Sequence, residues 1–178
     1  MRALGIVELN SIAKGIELTD IMLKSSEVEI IYSKHTCPGK YLIIVKGDVS
    51  AIEEAVNNSL KEGEKNIIGS FILPNAHEQL INGINKKFKI DVKAIGVMEF
   101  TSIASGIIAL DKALKYGQIN LVRFTLGNLI GGKCYFIVTG LLSDVEESIK
   151  WAENSIDSKK VVNKLVIPSP DSELINCL

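Results

Sequence analysis

The chain states nearly the same sequence twice. The segment from Ala3 to Gly15 returns 91 positions later as Ala94 to Gly106. From Ala3 to Thr36, eleven of thirty-four aligned pairs are identical, against about two expected from ordinary residue usage. The offset then grows to 93, matching Gly47-Asp48-Val49 to Gly140-Leu141-Leu142, and to 94, matching Phe71-Ile72-Leu73-Pro74 to Leu165-Val166-Ile167-Pro168. The copies differ most between these blocks, where His35 to Lys40 faces the longer Leu126 to Lys133. A unit of this length exceeds a solenoid repeat and can enclose its own core. Two tandem domains of one fold are therefore expected, at 1–90 and 91–178.

Each copy carries the same succession of patterns. Arg2 to Leu9 is an apolar run ending in Asn-Ser, which reads as a strand followed by a helix start at Ser11. Ile12, Gly15, Ile16, Leu18, Met22 and Leu23 then recur near helical spacing, predicting one apolar face on a helix to about Ser25. Val28–Lys34 and Lys40–Gly47 read as strands joined through Cys37-Pro38-Gly39. Ser50 with Glu53, and Ser143 with Glu146, have capping-box spacing and predict the next helix in each copy. Asn66–Leu73 reads as a fourth strand stopped by Pro74, and Ala76–Ile84 as a short closing helix. The second copy predicts strands at Lys93–Phe100, Asn120–Leu126, Lys133–Gly140 and Lys164–Ile167, with helices at Ser102–Tyr116 and Leu142–Ser155. A β-α-β-β-α-β order gives an α/β (α+β) fold of two antiparallel sheets, each with helices on one face.

The net charge of -1 gives no basic excess to attract nucleic acid. The apolar runs are strand-length and interrupted, so no membrane span is expected, and the start of the chain lacks a signal-peptide pattern. A cytoplasmic protein is expected. Cys37, Cys134 and Cys177 are too few and too irregularly spaced for a disulfide framework or an intrachain zinc site. Any metal chemistry would need ligands from another chain.

The start Ala3-Leu4-Gly5-Ile6-Val7-Glu8, Asp20 with Lys24, Gly47-Asp48-Val49 and the closing Leu73-Pro74-Asn75-Ala76-His77 together resemble the shell-protein domain of bacterial microcompartments. The resemblance covers almost the whole chain, twice. It implies a homotrimer imitating the hexamers of single-domain members, located in the microcompartment shell beside other shell proteins, with loops of each copy lining an axial pore. Lys34 to Lys40 and Gly131-Gly132-Lys133-Cys134-Tyr135 resemble the propanediol-utilisation tandem type, which implies an iron-sulfur cluster. Under that resemblance Cys37 is the metal ligand of a 4Fe-4S cluster, one per trimer, and electron transfer across the shell implies a redox partner. Thr36, Pro38, Gly39, Asn128, Leu129, Ile130 and Gly131 would line the pore. Lys24 and Lys115, at one repeat position, would form the shell-edge contacts. Asn75 and Ser169 stand where many shell domains carry an arginine after the closing proline.

The residues themselves also admit plainer accounts. Cys37 can be a pore-lining thiol without metal, giving a cluster-free tile with a gated metabolite pore. A ferredoxin-like regulatory module binding a small ligand between its copies is a third possibility. Cys134, opening a strand, is expected to be a buried hydrophobe, and Cys177 an incidental mobile thiol. The Gly127 to Lys133 stretch mimics a phosphate loop, but Cys134 replaces the needed Ser or Thr and a strand follows. His35, two residues from Cys37, could tune or ligate a cluster, but a solvent-facing strand-end histidine is the more common outcome, and His77 is expected to cap or hydrogen-bond locally. No Ser/His/Asp set or carboxylate pocket is visible, so no enzyme activity is expected.

Overall fold

A computed structural model describes residues 2–84, 86–88, 91–127 and 130–178. The chain divides into two compact units, Met1–Ala76 and His77–Leu178. The first contains β1 (Ala3–Leu9), α1 (Ile12–Ser25), β2 (Glu29–Thr36), β3 (Lys40–Gly47), α2 (Val49–Gly63) and β4 (Ile67–Leu73). Its sheet has the order β2-β3-β1-β4, with every pairing antiparallel. The second unit opens with α3 (Glu78–Gly83). It continues through β5 (Ala94–Phe100), α4 (Ile103–Tyr116), β6 (Ile119–Leu126), β7 (Cys134–Gly140), α5 (Leu142–Asn154), β8 (Val161–Ile167) and α6 (Ser172–Cys177). Its order β6-β7-β5-β8 is again wholly antiparallel.

The repeat holds at the level of register. Ala3 pairs with Gly47 as Ala94 does with Gly140, and Leu9 with Tyr41 as Phe100 does with Cys134. Even the irregularities recur, between Ile30 and Tyr32 and between Leu121 and Arg123. Because a one-residue slip would turn every side chain to the opposite face, conserved bulges keep the two cores equivalent. In the first unit Ala3, Val7 and Leu9 pack with Leu18 and Met22 of α1 and Ile52 and Val56 of α2. The first helix of each copy approaches its sheet through a glycine. A Cβ on Gly15 would lie 2.3 Å from Cδ1 of Tyr41, and one on Gly106 would lie 2.2 Å from Sγ of Cys134. Tyr41 and Cys134 occupy the same repeat position, so that close contact places Cys134 in the core.

Two expectations about the helices need correction. Ser11 and Ser102 do cap α1 and α4, accepting from the N–H groups of Lys14 and Ser105. The predicted capping boxes do not form: α2 starts at Val49 after Asp48, and α5 at Leu142 after Leu141, neither with a side-chain cap hydrogen bond. The connections leave a single residue between strand and helix, so the chain turns before Ser50 or Ser143 is reached. The second correction concerns the apolar face of α1, of which only Gly15, Leu18 and Met22 are buried, joined by Thr19. Ile12, Ile16 and Leu23 are exposed.

Candidate functional site

Thr36 pairs with Lys40 across the β2–β3 hairpin, leaving Cys37, Pro38 and Gly39 as a three-residue loop. The Cys37-Pro38 peptide is cis and Gly39 has φ +71°, a left-handed conformation that suits a residue without Cβ. Pro38 and Gly39 are exposed, whereas Cys37 is half-buried and free. Thr36 is buried, and its hydroxyl has no hydrogen-bond partner among the described residues. An ion pair between Lys40 Nζ and Glu8 Oε1, 3.0 Å long, fastens β3 to β1 at the base of the loop. His35 is exposed on β2, paired with Tyr41.

The corresponding loop of the second unit is longer. Gly127 N–H donates to Lys133 O over 2.9 Å, and Gly127, Gly131 and Gly132 all have positive φ. Ile130 is half-buried and Gly131 exposed, while the pore-lining candidates Asn128 and Leu129 lie outside the described residues. Lys133 Nζ reaches Glu99 Oε1 at 3.0 Å, repeating the Lys40–Glu8 tie. With that ammonium already engaged and strand β7 following directly, the loop has no helix N-terminus for a phosphate.

The donor set is sparse. Among the described residues no group of three or more His, Cys, Asp or Glu side chains could hold a metal ion, so each chain offers the single thiol of Cys37 in this loop. Cys134 is fully buried and donates to Ser102 O over 3.3 Å. Burial pushes its thiol pKa up to about 12; the Glu99 carboxylate adds to the rise and a backbone hydrogen bond with Gly106 opposes it. Cys177 is exposed and sits in α6, which the sequence reading missed. Alkylation of metal-free native protein near pH 8 is therefore expected to modify Cys37 and Cys177 and spare Cys134. Mass spectrometry after digestion checks this; rapid labelling of Cys134 would contradict its place in the core. Since the folded pKa is raised, this thiol contributes stability that is lost as pH climbs from about 9 toward 12.

The two repeat-related lysines make the same i,i+4 ion pair, Lys24 with Asp20 and Lys115 with Asp111, each at 2.6 Å. Their surroundings differ. Asp20 is 58% exposed and Asp111 only 1%. Asp111 Oδ1 also accepts the backbone N–H of His77 at 2.9 Å. His77 itself caps α3, its Nδ1 accepting from the N–H of Gln79, as expected of a local role. The part played by Asp111 was not read from the sequence, although its pairing with Lys115 was visible in the shared spacing.

The BMC domain model matches residues 3–76 and 94–170. The chain belongs to the BMC domain family. It is 39% identical over 175 residues to the bacterial microcompartment shell protein PduT of Citrobacter freundii, covering 97% of this chain and 95% of that protein. Carboxysome assembly protein CcmO of Synechococcus elongatus is 25% identical, over 99% of this chain and 68% of its own length. A crystal structure of a microcompartment protein from Desulfitobacterium hafniense DCB superposes with a TM-score of 0.94 at 39% identity, covering 99% of both chains. The fused permuted hexameric shell protein MSM0275 shares the fold, with a TM-score of 0.63 at 20% identity over 86% of this chain and 83% of that one. The protein is thus a structural microcompartment shell protein of the tandem-domain type, similar to PduT. No helix among the described residues is long and apolar enough to cross a membrane.

Proposed function

We propose that three copies form a pseudo-hexagonal shell tile, and that three Cys37 thiolates around its axis hold one iron-sulfur cluster of the 4Fe-4S type. The observation that carries this reading is the free, half-buried Cys37 at the tip of an otherwise exposed three-residue loop. The donor chemistry fits: thiolate is the usual ligand of such clusters, and threefold symmetry supplies three where one chain has one. The fourth iron position is left to solvent or a small molecule. A bound cluster would supply one-electron redox chemistry, accounting for electron transfer across the shell to a redox partner. The chain's own part is to orient the thiol, through Pro38 and Gly39 in the turn and the Lys40–Glu8 pair below it.

Light scattering of the purified protein should give about three times 19.4 kDa, and a monomer would overturn the tile. Iron and acid-labile sulfide, measured after anaerobic reconstitution, test the cluster. A trimer lacking both would favour the gated metabolite pore, a reading supported by the three positive-φ glycines of the second loop. Neither version assigns the protein an enzyme activity. Both place it in the shell of a cytoplasmic microcompartment, with other shell proteins as lateral partners. Lys24, 74% exposed, is the better placed of the two edge lysines to meet a neighbouring tile. Lys24→Ala is expected to weaken sheet formation in electron micrographs while the trimer mass is unchanged; intact sheets would remove Lys24 from the edge.

A further inference from the structure

The face of the second sheet turned away from its helices carries cations that nothing balances. A Cβ on Gly96 would meet Val145 and Ile149 of α5, so Val97 and Glu99 point the other way. Their register partners Ile137 and Tyr135 share that face, and one strand further so do Arg123 and Thr125. Segment 86–88 runs along the outer edge of β6. Phe88 donates its N–H to Val122 O over 2.9 Å, and Lys87 forms an antiparallel bridge with Arg123. Directly paired residues project to one side, so this bridge sets an ammonium beside a guanidinium.

Lys86, Lys87, Arg123, Thr125 and Tyr135 line one cavity of about 390 Å³, wholly within the second unit. Among the described residues no carboxylate pairs with any of the three cations, and the hydroxyls of Thr125 and Tyr135 have no hydrogen-bond partner. Glu99, opposite Tyr135, is already engaged by Lys133 at 3.0 Å. Like charges directly opposite each other destabilise a strand pair, and an anion in the cavity would reverse that effect. The fold does not impose the arrangement, because at the offset of 91 the first unit has Tyr32 where the second has Arg123. Tyr135 also packs against the apolar cluster of Ile95, Val122 and Ile137, which gives the cavity an apolar wall beside its cations.

We propose that this cavity binds a phosphate monoester, with the phosphate between Lys86, Lys87 and Arg123 and the organic part against Tyr135. A guanidinium offers paired N–H donors to phosphate oxygens, the lysines add charge, and the two hydroxyls can donate to the remaining oxygens. A phosphate monoester is close to a dianion at pH 7, which suits three cations better than a single carboxylate does. The site goes beyond the tile reading and depends on neither the trimer nor the cluster.

Calorimetric titration of the full-length protein at low ionic strength, with phenyl phosphate and with inorganic phosphate, tests the assignment. Phenyl phosphate should bind once per chain and more tightly than inorganic phosphate, which has no part to lie against Tyr135. Arg123→Gln and Lys87→Gln should each weaken it about tenfold, since each removes a charged hydrogen-bond donor, with the mass by light scattering unchanged. Thermal melts give a second readout. Lys87→Gln relieves the paired charge, so in phosphate-free buffer it should melt no lower than wild type, yet gain less from added phenyl phosphate. Binding that both substitutions leave unchanged, or no saturable binding at all, overturns the site. Equal affinity for the two phosphates overturns the ester. A heptaglutamate peptide that binds where phenyl phosphate does not would make this face a dock for an acidic segment and overturn the proposal.

Discussion

Replacing Cys37 with serine is expected to abolish iron and labile sulfide in the assembled protein while leaving its fold and mass unchanged. A hydroxyl is a far poorer iron ligand than a thiolate, and symmetry makes one substitution remove all three protein ligands at once. The fold should tolerate it because Pro38 and Gly39 beside it are exposed, and loop residues contribute little to a core. Cys134→Ser is the matched control. Its hydroxyl can keep the hydrogen bond to Ser102 O, so iron content should stay at the wild-type level whatever happens to packing. With three protein ligands and one open iron position, the wild-type cluster is also expected to lose iron in air. Full iron in Cys37→Ser, measured with sulfide on anaerobic protein, would refute the proposed ligand.

The fold was legible because the repeat allowed each element to be read twice. Where both copies gave a strand or helix pattern, the structure has the element within a few residues, as with β1 and β5 or α1 and α4. Spacing misled where connection length decided the outcome. Ser50-x-x-Glu53 has capping-box chemistry, yet the one-residue link after Gly47 starts α2 too early for Ser50 to cap it. Cys134 was readable as a core thiol from its place in an apolar strand, although its contact with Gly106 was not. At the site, sequence singled out Cys37 through a resemblance, and the structure adds a loop that presents it. The difference between Asp20 and Asp111 was invisible, because both sit four residues before a lysine on the same helix pattern. What separates them is whether another segment covers them, which depends on α3 and not on any local motif. In α1, Ile12, Ile16 and Leu23 likewise read as core residues but are exposed, whereas their repeat partners Ile103, Ile107 and Leu114 are buried.

That hidden difference yields the largest stability effect expected of any single substitution at the lysine pairs. Asp111→Ala removes a carboxylate that is 1% exposed and joined to both Lys115 Nζ and the His77 N–H. The lysine is left without its anion and the amide at the start of α3 without its acceptor, both in partly buried surroundings. Breaking a buried pair, or orphaning a buried donor, typically costs a few kcal/mol. Because Lys115 can still reach water, the lower end applies, about 3 kcal/mol. Asp20→Ala removes the same chemical group from an exposed i,i+4 pair and is expected to cost about 0.3–0.5 kcal/mol in the isolated chain. Urea titrations of both variants, each under conditions where the wild type is dissociated, would measure the contrast. Hydrogen exchange should locate the Asp111→Ala loss in α3 and the C-terminal half of α4. Equal effects from the two substitutions would mean that Asp111 is not covered as the structure has it, and the seat assigned to α3 would fall with it.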